Sequence, residues 1–168
     1  SALLTVEEGG VCKGELAHLK NLYRLGVRMM TLTWNFPNEI GFPNLSFHHK
    51  AKIPDSTIPN TADGLTDKGL NFIHEMENLG MIVDVSHLSD AGFYDVLSNT
   101  KKPFVASHSN SRHICPNTRN LTDDMIHSMG NRGCVMGLNF CENFLFEKKL
   151  ATESSYDWIL YHAKHIIN

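Results

Sequence analysis

Two Ser-His pairs, Ser86-His87 and Ser107-His108, stand 21 residues apart. Each follows a short apolar run, Ile82-Val83-Asp84-Val85 in one case and Phe104-Val105-Ala106 in the other. Another apolar run leads into Glu7 and Glu8, and a fourth, over residues 27–33, leads into Trp34 and Asn35. Imidazole nitrogen and carboxylate oxygen are donors that zinc takes at about 2.0–2.2 Å. One histidine at a strand end reads more readily as a hydrogen-bonded structural residue. Two in register, with a carboxylate ending a further strand, reverse that preference and point to a metal site. Arg112 and Arg119 follow His108. A loop arginine is ordinarily solvated, but a guanidinium over a metal cavity suits a substrate carboxylate, because its fork meets both oxygens.

Other candidates read as structural. Asp84 lies inside its run; it can face outward to a helix N-terminus or stand behind a metal ligand as its partner, and the structural role is the one expected. Ser86 and Ser107 lack the G-x-S-x-G setting of a nucleophile elbow. Gly9-Gly10 lacks the further glycines of a phosphate loop and reads as a turn. Most of the ten histidines, His48, His49 and His165 among them, are expected to be ordinary surface residues.

The elements that must position these residues alternate. Strands are predicted over residues 2–7, 27–33, 81–85, 104–107 and 134–138. Helices are predicted from the spacing of Leu16, Leu19, Leu22 and Tyr23 up to Gly26, over 65–78, over 89–98 with Ser89 as N-cap, from Thr122 to about 129, and over 156–167. Residues 34–64, with Pro37, Pro43, Pro54 and Pro59, are predicted as a long excursion over the rim that carries the site, mobile or partly ordered. Strand-helix alternation means parallel strands joined by crossovers, which fits a doubly wound sheet or a barrel. In both, the C-terminal strand ends are the functional edge.

Composition narrows the class. A chain of 168 residues that is 42% hydrophobic can bury a core as one domain. A net charge of -3 gives no electrostatic case for nucleic acid or an anionic membrane surface. No apolar run reaches the roughly 20 residues that span a bilayer. Ser1-Ala2-Leu3-Leu4 shows no basic stretch ahead of a long apolar one, so a cytoplasmic location is expected, with a secreted or membrane-anchored form as the alternative. Cys12, Cys115, Cys134 and Cys141 form no C-x-x-C pair, which speaks against a zinc knuckle.

With these motifs in view, the chain resembles the membrane dipeptidase (renal dipeptidase) family of the metal-dependent hydrolases. The resemblance is carried by Glu8-Gly9-Gly10, Leu22-Tyr23-Arg24-Leu25-Gly26-Val27-Arg28, Leu32-Thr33, Asp84-Val85-Ser86-His87-Leu88-Ser89-Asp90, Ser107-His108-Ser109-Asn110-Ser111-Arg112 and Arg119-Asn120-Leu121-Thr122-Asp123-Asp124. It implies an α/β fold, a (β/α)8 TIM-type barrel with about five β-α units in this chain. It also implies two zinc ions and hydrolysis of a dipeptide by a metal-bound hydroxide. Carried over, the bridging catalytic glutamate is Glu8, with Glu7 its rival at the same strand end. His87 and His108 are ligands, and Arg119 holds the substrate carboxylate. Trp34 stands where better-known members have a substrate-contacting histidine, and Asn35 is the candidate substitute.

Residues 1–168 are thus expected to be the central segment of such a barrel. The family's early His-x-Asp pair and late-strand aspartate are missing from this sequence. On that reading the segment alone binds at most one zinc and is inactive. A small peptide is the expected partner of the complete enzyme, and a homodimer the assembly to test. The alternatives are a metal-dependent hydrolase of another amide, a lactone or an ester, and a catalytically inactive barrel.

Overall fold

The computed structural model describes residues 2–45, 55–146 and 154–168. Five strands, β1 (Leu4–Glu7), β2 (Val27–Thr31), β3 (Ile82–Asp84), β4 (Val105–Ala106) and β5 (Val135–Met136), pair in parallel in that order. A doubly wound sheet reverses its strand order at a switch point. This sheet never reverses, and it is the five-strand arc of a (β/α)8 barrel. The predicted strands are trimmed at their ends, yet pairing continues past them: Val85 N–H bonds to Val105 O at 2.8 Å and Gly137 N–H to Ala106 O at 2.8 Å.

The helices are α1 (Leu16–Arg24), α2 (Asp67–Leu79), α3 (Asp90–Asn99), α4 (Asp123–Asn131), α5 (Glu142–Leu145) and α6 (Ser155–Ile167). The four-residue α5 and a 3-10 turn at Gly9–Cys12 are additions to the sequence reading. Thr66, Ser89, Thr122 and Ser154 cap α2, α3, α4 and α6, each side chain accepting a backbone N–H three residues on. Gly80 ends α2 at φ 74, a left-handed position that glycine takes without strain. The inner helix faces deliver Phe72, Ile73 and Met76, Phe93 and Val96, and Met125 and Met129 into one core with Met30, Val83 and Ala106. Full burial of each large side chain stabilises by about 1.5–3 kcal/mol.

The excursion after β2 folds across the C-terminal strand ends. Asn38 Oδ1 accepts from Ile40 N–H and Gly41 N–H. Asn44 N–H bonds to His87 O at 3.0 Å, and Ser89 N–H to Phe42 O at 2.9 Å. Residues 46–54 of the excursion, with His48, His49 and Pro54, lie outside the described residues. Among the described residues no helix is long and apolar enough to cross a membrane.

His162 of α6 ties that helix to the loop carrying Arg112 and Arg119. Its Nδ1 accepts from Ser111 N–H at 3.1 Å, so Nε2 carries the proton and donates to Leu145 O at 2.9 Å. The ring is fully buried, and burial lowers its pKa from the ordinary 6.5. Below that value the unfolded chain takes up a proton that the folded chain refuses. This contribution to stability is therefore present above pH 6.5 and is lost as pH falls toward the depressed folded value. Urea midpoints of wild type and His162→Gln are expected to converge between pH 7.5 and 5.5. A constant difference would show that His162 does not titrate across this window.

Candidate metal centre

β1, β3 and β4 end on one rim of the sheet and bring three donor atoms together. Glu7 Oε1 lies 3.4 Å from His87 Nε2 and 3.6 Å from His108 Nε2, and the two Nε2 atoms are 2.9 Å apart. Four ligands at zinc bond lengths leave edges of about 3.3 Å, so the spacing fits one small cation. Glu8, the expected bridging residue, is not brought to this cluster. Consecutive side chains in extended backbone point to opposite faces, and Glu8 continues β1 in extended form at φ -145. Its Oε2 accepts from Asn38 Nδ2 at 2.9 Å, holding the excursion.

Hydrogen bonds settle which imidazole nitrogens face the cluster. Asp84 is fully buried, and its Oδ2 accepts from Thr31 Oγ1 at 2.7 Å and from Ser107 Oγ at 2.5 Å. Its Oδ1 accepts from the N–H groups of Ser86 and Ser107. Ser107 has spent its one hydroxyl proton on Asp84, so at 2.7 Å its oxygen accepts from His108 Nδ1–H. His87 Nδ1 likewise meets Asn35 Oδ1 at 3.1 Å and donates to it. Both Nε2 atoms therefore turn bare lone pairs toward each other and toward the Glu7 carboxylate.

A proton does not resolve that arrangement. Burial, then Arg119 and His108, pushes the His87 pKa down to about 2. Burial and Arg119 lower that of His108, against opposing pulls from Asp84 and Glu7. The rings stay neutral, the state in which imidazole binds metal. His87 also sits at φ 71, a left-handed conformation uncommon for a side-chain residue. The turn Val85–Leu88, closed by Leu88 N–H to Val85 O at 3.1 Å, puts it there. Strain of this kind costs about 1–3 kcal/mol and persists only where its surroundings hold it.

Arg119, Trp34 and Asn35 border the same rim. Arg119 is 4% exposed; its Nη2 donates to His108 O at 3.4 Å, and its buried Nε meets no acceptor among the described residues. Burial lowers its pKa to about 10, with Asp84 and Glu7 pulling the other way. Trp34 is exposed, and its ring centroid lies 6.4 Å from that of His87 and 5.8 Å from that of Phe36. Arg112 instead faces Asp90, away from the cluster. The orienting role of Asp84 was the less favoured of two sequence readings, and that of Ser107 was not assigned from sequence; the repeated Ser-His was the signal that could have suggested it.

β5 touches this machinery at Gly137. A Cβ there would stand 2.1 Å from Ser107 O and 3.0 Å from Ser107 C, backbone atoms that cannot rotate aside. Gly137→Ala is expected to cost about 1–3 kcal/mol, as overpacking does, and to weaken metal binding by displacing Ser107 and His108. Thermal melts and metal titration check both; an unchanged melting temperature would mean the strand ends yield freely.

The family model described as membrane dipeptidase (peptidase family M19) matches residues 1–168. An uncharacterised protein of the pqqA 5′ region of Klebsiella pneumoniae is 34% identical over 165 residues, covering 97% of this chain and 58% of that protein. An uncharacterised dipeptidase of Schizosaccharomyces pombe is 35% identical over 152 residues, 90% of this chain and 34% of its own length. A metallopeptidase from Rhodobacter sphaeroides, solved with a phosphinate mimic of the dipeptide L-Ala-D-Ala, superposes with TM-score 0.85 at 31% identity, over 98% of this chain and 45% of that one. The chain thus spans between a third and three fifths of the relatives it matches.

Proposed function

The chain belongs to the membrane dipeptidase family, peptidase family M19, and we propose that the protein hydrolyses dipeptides with zinc held by Glu7, His87 and His108. The observation that carries this reading is the convergence of two neutral, proton-free imidazole nitrogens and a carboxylate oxygen within 4.8 Å of one another. Two nitrogens and one oxygen suit zinc and leave a position open. A divalent metal there supplies Lewis-acid activation of a peptide carbonyl and of water near neutral pH.

The chain's own residues do the rest. Asp84 and Ser107 hold the His108 ring in the tautomer that leaves Nε2 bare, and Asn35 does the same for His87. Arg119, buried with its Nε unused among the described residues, receives the terminal carboxylate of the substrate and so favours short peptides. Trp34 forms an apolar wall beside the reacting group. Glu8 steadies the excursion through Asn38. We assign residues 1–168 to the central part of a larger barrel. Leu4 on β1 and Val135 on β5, exposed on the two open edges of the sheet, are apolar surface that further strands would cover. A second zinc would draw its remaining ligands from those strands.

The test is a panel of dipeptides with free or amidated C-termini, given to the full protein before and after chelation and zinc return. Hydrolysis of the free acids, lost and restored with zinc, is expected. Turnover of other amides, lactones or esters alone would move the activity to a different hydrolase class. Arg119→Ala is expected to lower kcat/KM on the free acids about 10- to 100-fold, the loss of a charge-assisted contact of about 1.5–3 kcal/mol. An equal loss on amidated peptides would remove Arg119 from that role.

A further inference from the structure

His113, Asp123 and His165 form a second cluster whose ligand atoms all lie within 4.8 Å of one another. His113 belongs to the loop after β4, Asp123 opens α4, and His165 lies in the last turn of α6. His165 Nε2 meets Asp123 Oδ1 at 2.8 Å, and His113 Nδ1 stands 3.7 Å from the other carboxylate oxygen, Oδ2. The two imidazoles stack, centroids 4.8 Å apart and planes within 12°, so both present a nitrogen toward one carboxylate. His127, one turn beyond Asp123 on α4, lines the same cavity as Asp123 and His165.

We propose that this cluster is a second transition-metal site, with His113, Asp123 and His165 as ligands. The donors are two imidazoles and one carboxylate, a set that suits zinc, nickel or copper and not magnesium or calcium. A simple ion pair between α6 and α4 needs only His165 and Asp123. It does not account for His113, brought from a separate loop to stack on His165 with its nitrogen on the same carboxylate. The ligands are part-exposed, His113 at 67%, Asp123 at 44% and His165 at 31%, so metal enters from solvent without unfolding. Bound metal would fasten α4, α6 and the loop after β4 at one point. The loop so fastened carries Arg112 and Arg119. The inference does not depend on the function proposed above.

Equilibrium dialysis of the chelator-stripped full protein against zinc, with bound metal counted per chain, tests it. His113→Gln with His165→Gln is expected to remove one bound zinc relative to wild type or to weaken it at least tenfold. His87→Ala removes a different equivalent. Zinc is also expected to raise the melting temperature of His87→Ala, and the added pair of glutamines to lessen that rise. His113→Gln alone, at the most exposed ligand, gives the same reading should the double variant fold poorly. Unchanged zinc stoichiometry and affinity in a folded His113→Gln, His165→Gln protein would reduce the cluster to an ion pair and overturn the proposal.

Discussion

His108→Ala is expected, on the proposed function, to lower dipeptide hydrolysis by the full protein about a thousandfold, equivalent to about 4 kcal/mol of transition-state stabilisation. The alanine removes one of three convergent donors and leaves Glu7 and His87 as a two-ligand remnant. It also strands the Ser107 hydroxyl, whose oxygen accepted the His108 Nδ1 proton. Ser107→Ala is the informative companion. It keeps the ligand but frees the ring from the Asp84 network, and loss of such an outer partner costs about 10- to 100-fold in metal affinity or rate. The order of the two effects discriminates: a metal ligand must matter more than the group that aims it. Metal content should follow the same order. A His108→Ala protein that keeps its metal and turns over within tenfold of wild type would remove His108 from the site.

The parts of this arrangement that were legible in the sequence are those set by spacing. Two Ser-His pairs one β-α unit apart had to fall at the same height on neighbouring parallel strands, and they do. Caps at Ser89 and Thr122 were readable because a side-chain oxygen must reach an N–H three residues on. What was not legible turns on parity and on long-range pairing. Glu7 and Glu8 are chemically alike, and only the face of β1 that each occupies separates them. Asp84 looked like a buried structural acid. Its junction with Thr31 and Ser107 requires knowing that β2 and β4 flank β3. His165 looked like a surface histidine because nothing in the local sequence brings Asp123 across 42 positions to it. The excursion read correctly as one that crosses the strand ends, but its anchoring by Asn38 and Asn44 rests on side chains that serve equally well in any polar loop.

Arg112→Ala is expected to destabilise the folded protein by about 3–5 kcal/mol, the cost of breaking a buried pair from one side. Arg112 Nη1 and Nη2 each donate to a separate oxygen of Asp90 at 2.7 Å, a bidentate contact with side chains 15% and 9% exposed. Surface ion pairs contribute little, but this one is enclosed. Asp90 opens α3, where negative charge also favours the helix N-terminus. Arg112 Nε further donates to Asn120 O at 2.9 Å, and Asn44 Nδ2 donates to Asp90 Oδ1 at 2.7 Å. The pair therefore joins the loop after β4 to α3 and to the excursion after β2, and all three meet at the rim that carries the candidate metal centre. Removing the arginine leaves a buried carboxylate with one donor fewer on each oxygen and orphans the Asn120 carbonyl. Replacing both partners by apolar residues often costs little elsewhere. Here Arg112→Met with Asp90→Leu should still destabilise, because Asn44 Nδ2 loses one of its two acceptors and the Asn120 carbonyl loses its guanidinium donor, though by less than the sum of the single changes. Urea unfolding of wild type, both singles and the double measures that coupling. An Arg112→Ala midpoint that corresponds to less than about 1 kcal/mol, the range of exposed pairs, would show that water reaches Asp90 and that this junction does not hold the rim together.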